Sequence, residues 1–250
     1  MKTIKNTILL LVTLCFAFNN NYAQKMYNVH QDNVKPSMMM EYEKIAKKFH
    51  DACEKHNPDT SWLAVSTDDF TYMYVTPIEN FADLDKRPMA EMAKAMGDDF
   101  GKMFEEFDKC YDSHGNYIIT LDEKLSYMPD GISQAQEGQD NRNFYYIHYA
   151  PKNGKNLWEA MKAVKDMFAE KGSKSYYRVY RTGFGSMDNF YMVAISSENK
   201  IHAAEKEKAN EELLGPERYE VFQKVLANAT KMEEVTGLIR RDLSYSAKKE

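Results

Sequence analysis

The chain has 250 residues, a formal net charge of −5, 43% hydrophobic and 28% charged residues. This length suits one or two domains, and the acidic balance speaks against a nucleic-acid binder, which carries a basic footprint. The first element is a leader. Lys2 and Lys5 precede an apolar run from Ile8 to Phe18, and Ala23 precedes Gln24. That is the layout of a secretory signal peptide over 1–23, cleaved near Ala23–Gln24. The run is shorter than the ~20 residues that span a bilayer. Cys15 lies inside the run after Leu14, not after a small residue, which disfavours lipidation. The expected product is exported, periplasmic or secreted, and not stably inserted in a membrane. Cleavage removes two lysines and no acid, so the mature chain is more acidic still.

The next elements alternate between strand and helix. "MYNVHQ" (26–31) reads as a strand. Pro36 then opens a helix whose apolar stripe is Met38, Tyr42, Ile45, Phe49 and Cys53. "SWLAVST" and "FTYMYVT", joined by Asp68-Asp69, read as a hairpin. A helix over 88–96 follows, then a stripe of Phe100, Met103, Phe104, Phe107 and Tyr111, then a strand "NYIITLDEKLSY". The order starts again at "FYYIHYA" (144–150). Leu157, Met161, Val164 and Phe168 make its helix stripe, with Gly172 as a stop. "SYYRVYRT" and "NFYMVAIS", joined by "GFGSMD", form the second hairpin. A Lys/Glu-rich helix (199–213), a stripe of Tyr219, Phe222 and Leu226 behind Pro216, and "GLIRRDLSY" complete the chain.

The two halves repeat. His30 and His148, Gly97 and Gly215, Phe104 and Phe222, and the triplets Leu125-Ser126-Tyr127 and Leu243-Ser244-Tyr245 all recur at a spacing of 118. Tyr72-Met73 and Tyr191-Met192 recur at 119. On this reading each LSY triplet ends the last strand of its half. The order strand-helix-strand-strand-helix-strand is that of a ferredoxin-like plait. The expected fold is α+β: two tandem ferredoxin-like units, residues 24–140 and 141–250, packed sheet to sheet so that each covers the other's bare face. This arrangement, covering nearly all of 26–247, resembles the dimeric α/β-barrel superfamily as a fused pseudo-dimer. That superfamily includes antibiotic-biosynthesis-type monooxygenases, NIPSNAP-like proteins and haem-handling relatives. The plait sets Cys53 and Cys110 at opposite ends of the helix layer, so both are expected as unpaired, partly buried thiols.

Side chains alternate across a strand. Taking Tyr27, Val29, Tyr145 and Ile147 as the helix-facing set sends Asn28, His30, Tyr146 and His148 into the space between the sheets. A histidine in an aromatic-lined pocket can serve as base, donor or ligand; the plainer reading is a core histidine holding the sheets together. Arg178 and Arg181 have Ala64 and Thr67 as first-half counterparts, so one cavity would be basic, unless the arginines sit on an exposed edge. Trp62, Tyr72, Tyr74, Tyr146 and Tyr191 can line a pocket or simply pack. The expected ligand-binding set is His30, His148, Tyr146, Arg178, Trp62, Tyr72 and Tyr191. The sixteen methionines read as core filler. HExxH, GxSxG, a P-loop and CxxC are absent, and "GFGSMD" is not GxGxxG. His50 and His56 do not share a helix face, and His114 and His202 stand in polar contexts, so spacing yields no metal cluster.

Three functions stand at this stage. The first is a small-ligand-binding barrel for an apolar or aromatic molecule. The second, implied by the resemblance, is a cofactor-independent monooxygenase or a haem-handling enzyme; the sequence requires no cofactor. The third is a structural or interaction protein of the cell envelope. Catalysis and self-association are left open.

Overall fold

The computed structural model describes residues 25–133 and 136–248; the expected signal peptide lies outside them. Two apolar faces per strand and one per helix organise the fold. Strand β1 (Met26–Val34) leads through a 3-10 turn at Pro36–Met38 into helix α1 (Met39–His56). Strands β2 (Ser61–Thr67) and β3 (Thr71–Ile78) form a hairpin. Helices α2 (Ala90–Met96) and α3 (Asp98–Phe107) precede β4 (Tyr111–Leu121). The second half follows with β5 (Asn141–His148), α4 (Gly154–Glu170), β6 (Tyr177–Thr182), β7 (Phe190–Ser197), α5 (Lys200–Leu214), α6 (Arg218–Asn228), β8 (Lys231–Ile239) and the short β9 (Tyr245–Ser246).

The strands pair in the order β3-β1-β4-β6-β7-β5-β8-β2, and β2 pairs back to β3. The result is an eight-stranded antiparallel barrel, which leaves no open sheet edge to aggregate. Within the first half the order is β4-β1-β3-β2, and within the second β8-β5-β7-β6. The halves join edge to edge, β4 to β6 and β2 to β8. Three apolar cores result. One fills the barrel, with Val29, Val65, Ile119, Phe144, Tyr180, Phe190 and Met192. One lies outside the first half under α1–α3, around Tyr42, Ile45, Cys53, Trp62 and Tyr72. The third lies outside the second half under α4–α6, around Ile147, Leu157, Phe168, Tyr177, Val179 and Tyr191. Gly237 marks a close approach in the barrel wall. A Cβ there would stand 2.9 Å from the Phe144 ring and 3.1 Å from the Ser66 carbonyl.

The structure corrects the role of LSY. β4 ends at Leu121 and β8 at Ile239. Each triplet comes after a turn and crosses to the other half, Leu125-Ser126-Tyr127 onto β6 and Leu243-Ser244-Tyr245 onto β2. Ser126 Oγ donates to the Asp122 carbonyl at 2.8 Å and accepts the Val179 amide at 2.9 Å. Ser244 Oγ donates to the Arg240 carbonyl at 2.8 Å and accepts the Ala64 amide at 2.9 Å. Tyr127 bridges to Tyr177 on β6, and Tyr245 pairs with Trp62 on β2. Leu125 and Leu243 are buried beside them.

It also corrects one face assignment. Tyr27 and Val29 point into the barrel, so His30 and Asp32 point outward, Asp32 onto the α1 residue Tyr42. On β5 the expected sense holds: Ile147 faces the helices and Tyr146 the barrel. Both faces of β1 are rich in large residues, so alternation alone carries no sign. The ladders give the true correspondence. Ser244 bonds Ala64, which pairs with Tyr74, which pairs with His30. Ser126 bonds Val179, which pairs with Val193, which pairs with Tyr145. His30 therefore matches Tyr145, and the recurrence of His30 and His148 is not structural.

Cys53 and Cys110 are free and buried. Burial, with a lesser effect of Glu54, pushes the Cys53 thiol up to about 12. Among the described residues no helix is long and apolar enough to cross a membrane.

Candidate functional site

Helix α5 reads KIHAAEKEKANEELL, and only Leu214 of it is buried. Small and polar residues along its inner side cannot fill the space above β5 and β7. A cleft of about 410 Å³ opens there, between the outer face of the second-half sheet and helices α4–α6. Its floor is Tyr145, Ile147, Tyr177, Val193 and Ile195, and Phe168, Phe222 and Met232 wall it. Under the helices of the first half the packing differs. There Met92 is 2% exposed and packs with Met89 and Met96 into the core under α1–α3.

The rim of the cleft is polar. Lys206 Nζ donates to the Ser196 carbonyl at 3.2 Å, and burial lowers its pKa. Burial, reinforced by Glu234, raises that of Glu207. Both groups are thus biased toward their neutral forms, as a partly desolvated rim requires. Asn210 accepts the Ser173 hydroxyl at 2.5 Å, and Arg218 Nη1 donates to the Gly215 carbonyl at 2.9 Å. The Tyr145 hydroxyl donates to Glu234 Oε1 at 3.1 Å, and burial first, then Glu234, holds it protonated well above the usual phenol range. At the mouth, Tyr219, Phe222 and Met232 are exposed apolar groups. The arrangement suits a mainly apolar guest with one or two polar atoms at the rim.

A second cavity of about 300 Å³ opens from the barrel, lined by Met73, Tyr117, Tyr146, His148 and Phe190 with Glu233 at its edge. His148 Nε2 lies 2.8 Å from Glu233 Oε2. Lys231 chiefly, and His148 as well, hold the Glu233 carboxyl low. The Tyr117 hydroxyl donates to Gln31 Oε1 at 3.1 Å.

Of the residues expected to bind ligand, this barrel cavity joins only Tyr146 and His148. His30 lies outside the barrel, on Asp32 at 3.1 Å and Asn116 at 3.1 Å. Burial opposes its charging, but the Asp32 carboxylate and the Asn116 bond outweigh this and raise its pKa. Trp62 and Tyr72 belong to the first-half helix-side core; the indole donates to the Leu243 carbonyl at 2.8 Å and Tyr72 to Glu43 Oε1 at 2.6 Å. Tyr191 sits in the second-half core, stacked on Tyr149. Arg178 is not on an exposed edge. It is buried in the barrel, donating to the Ser133 carbonyl and to Ser196 Oγ, each at 2.6 Å. Its strand neighbour Arg181 is exposed. Sequence reasoning passed over the cleft because its signal is a deficit of large apolar residues on α5, not a motif.

Neither cavity presents haem with a free histidine or cysteine ligand. The larger has no histidine or cysteine in its lining, and of its three tyrosines the two at the floor, Tyr145 and Tyr177, are raised by burial, which opposes phenolate ligation there. The smaller, of about 300 Å³, has one histidine, His148, whose Nε2 already meets Glu233.

No family model matches the sequence, and no curated protein matches it. Solved structures do match in fold. An anthrone oxidase-like protein superposes with a TM-score of 0.62 at 13% identity, over 88% of this chain and 93% of its own. A protein of Lactobacillus acidophilus NCFM, provisionally named a monooxygenase, gives 0.52 at 11% identity over 88% and 94%. A mutant chlorite dismutase from Candidatus Nitrospira defluvii gives 0.50 at 8% identity over 87% and 92%. At these identities the likeness is one of fold, and the chain has the dimeric α/β-barrel fold of these proteins.

Proposed function

We propose that this chain is an exported small-ligand-binding protein whose guest, a mainly apolar or aromatic molecule, sits in the cleft between α5 and the second-half sheet. The observation that carries this reading is the cleft itself. Its 410 Å³ falls within the roughly 300–1,000 Å³ of small-molecule sites, with an aromatic floor and a polar rim. The signal-peptide layout of residues 1–23 supports export. The repeated serine straps support reading 24–140 and 141–250 as two tandem ferredoxin-like units, a fused pseudo-dimer akin to NIPSNAP-like and monooxygenase relatives.

Oxidation of an electron-rich aromatic guest in the same cleft is the second reading. It is favoured by the names of the anthrone oxidase-like and monooxygenase neighbours, together with the half-buried, protonated Tyr145 at the floor as a donor.

The test is a titration with anilinonaphthalene sulfonate on the purified protein and on Ala203→Trp, which places a large ring in the cleft from α5. Saturable fluorescence that falls about tenfold or more in affinity in the variant, at unchanged melting temperature, is expected. Equal affinity in both proteins sinks the assignment. Uptake of dioxygen with an anthrone or hydroquinone substrate would move the reading from binding to catalysis.

A further inference from the structure

The outer face of β1 and β4 carries a second feature, independent of the cleft. Asp32 and His114 are direct partners in the β1–β4 ladder, and His30 pairs with Asn116 in the same ladder. The strand register therefore brings together side chains far apart in sequence, which no spacing rule could show. His30 Nε2 lies 3.1 Å and His114 Nδ1 3.7 Å from Asp32 Oδ1. One nitrogen from each histidine and one carboxylate oxygen all lie within 4.8 Å of one another, the one such triad among the described residues.

We propose that His30, Asp32 and His114 form a binding site for a divalent transition-metal ion of the zinc and ferrous type. Four observations carry it. First, the three atoms are near ligand spacing: a metal with bonds of about 2.0–2.1 Å to nitrogen and oxygen sets its ligands roughly 3–3.5 Å apart, the 3.1 Å contact lies in that range, and the 3.7 Å contact needs only a small side-chain adjustment. Second, Asp32 is 4% exposed, yet its Oδ1 meets no donor in hydrogen-bond geometry. A buried carboxylate oxygen without a donor is costly. Third, His30 Nδ1 stands 3.1 Å from Asn116 Oδ1, an acceptor in this assignment of the amide. Nδ1 then carries the hydrogen and the Nε2 lone pair turns toward Asp32. A His30 ring nitrogen, a His114 ring nitrogen and an anionic oxygen then converge on one point, a donor set that a cation can occupy.

Fourth, the surrounding groups are those that orient ligands at metal centres. The Tyr42 hydroxyl donates to Asp32 Oδ2 at 2.6 Å and lies 3.0 Å from the Tyr74 hydroxyl. Asn116 fixes His30, and the Tyr111 ring stacks on His114 with centroids 4.9 Å apart. Such outer contacts typically tune metal affinity by 10–100-fold. The side chains of His30 and His114 are 35% and 50% exposed, so a metal held by three protein atoms would face solvent with positions to spare. Two imidazoles and a carboxylate suit zinc, cobalt or ferrous ions rather than calcium or magnesium.

The experiment is a cobalt(II) titration of the untagged protein, read by visible absorption and followed by zinc displacement. We expect saturation at one cobalt per chain and loss of the band with one equivalent of zinc. His114→Ala removes a half-exposed ligand without touching a core and should weaken binding by about 100-fold or more. Asn116→Ala should weaken it by about 10–100-fold, and His148→Ala should leave it unchanged. Absence of a saturable band in the wild type overturns the site. So does a folded His114→Ala protein, by circular dichroism, that titrates like the wild type. Failure of dye binding in the cleft would leave these outcomes untouched, since no residue is shared.

Discussion

Replacing Ser126 by alanine isolates the strap that ties the end of the first half to β6 of the second. Ser126 is 3% exposed, and its hydroxyl does two things: it accepts the Val179 amide at 2.9 Å and donates to the Asp122 carbonyl at 2.8 Å. Alanine removes both. The Asp122 carbonyl can recover in part, because the Ser126 amide donates to it at 3.0 Å in any case. The Val179 amide cannot recover, because Val179 is completely buried and water does not reach it. A buried donor left without a partner costs about 1–3 kcal/mol. We therefore expect a loss of about 2 kcal/mol. At roughly 2–4 °C per kcal/mol for a domain of this size, the melting temperature falls by about 4–8 °C. Urea unfolding followed by circular dichroism, with Ser37→Ala at an exposed position as reference, measures it. Ser244→Ala should behave alike, because its hydroxyl makes the same pair of bonds to Ala64 and Arg240. A Ser126→Ala protein within 0.5 kcal/mol of wild type, the usual range for surface changes, would refute the reasoning.

Three further outcomes are expected. Gly237→Ala forces a methyl group against the Phe144 ring and the Ser66 carbonyl and should cost about 1–3 kcal/mol, measured by the same unfolding curves. Cys53, buried and pushed up to about 12, should stay unreactive to Ellman's reagent at pH 8 and react once urea unfolds the chain; prompt labelling of the native protein would contradict its burial. Burial alone would raise the Glu43 carboxyl, but Arg240 and Tyr72 hold it below its ordinary value. Its folded pKa is therefore depressed. The stability it contributes is complete above the unfolded value of about 4.3 and is lost as pH falls through the folded value. Glu43→Gln should flatten the acid limb of a stability-versus-pH curve below about pH 4.3 and leave the slope near pH 7 unchanged.

Much of the fold was legible because the relevant signals are local. The hairpin strands Ser61–Thr67 and Thr71–Ile78 and the α1 stripe of Tyr42, Ile45 and Cys53 follow from period and turn residues alone. The α/β-barrel followed from their order and repetition. What escaped is what long-range pairing decides. β4 begins at Tyr111 in a polar stretch, DSHGN, that carries no strand pattern, yet Asp32 and His114 meet there. The LSY triplets look like strand ends, and only the bonds of Ser126 and Ser244 reveal them as straps. The pairing of His30 with His148 was a coincidence of spacing that the ladders undo, since Tyr145 holds the matching position. The cleft is defined by what α5 lacks, and its depth depends on the sheet beneath it.

The most direct test of the binding assignment is hydrogen–deuterium exchange with and without saturating anilinonaphthalene sulfonate. The account predicts slowed exchange in α5 (Lys200–Leu214) and α6 (Arg218–Asn228), the helices that roof the cleft. Protection confined instead to the barrel mouth around Tyr117, Tyr146 and His148 would contradict it and place the guest inside the barrel.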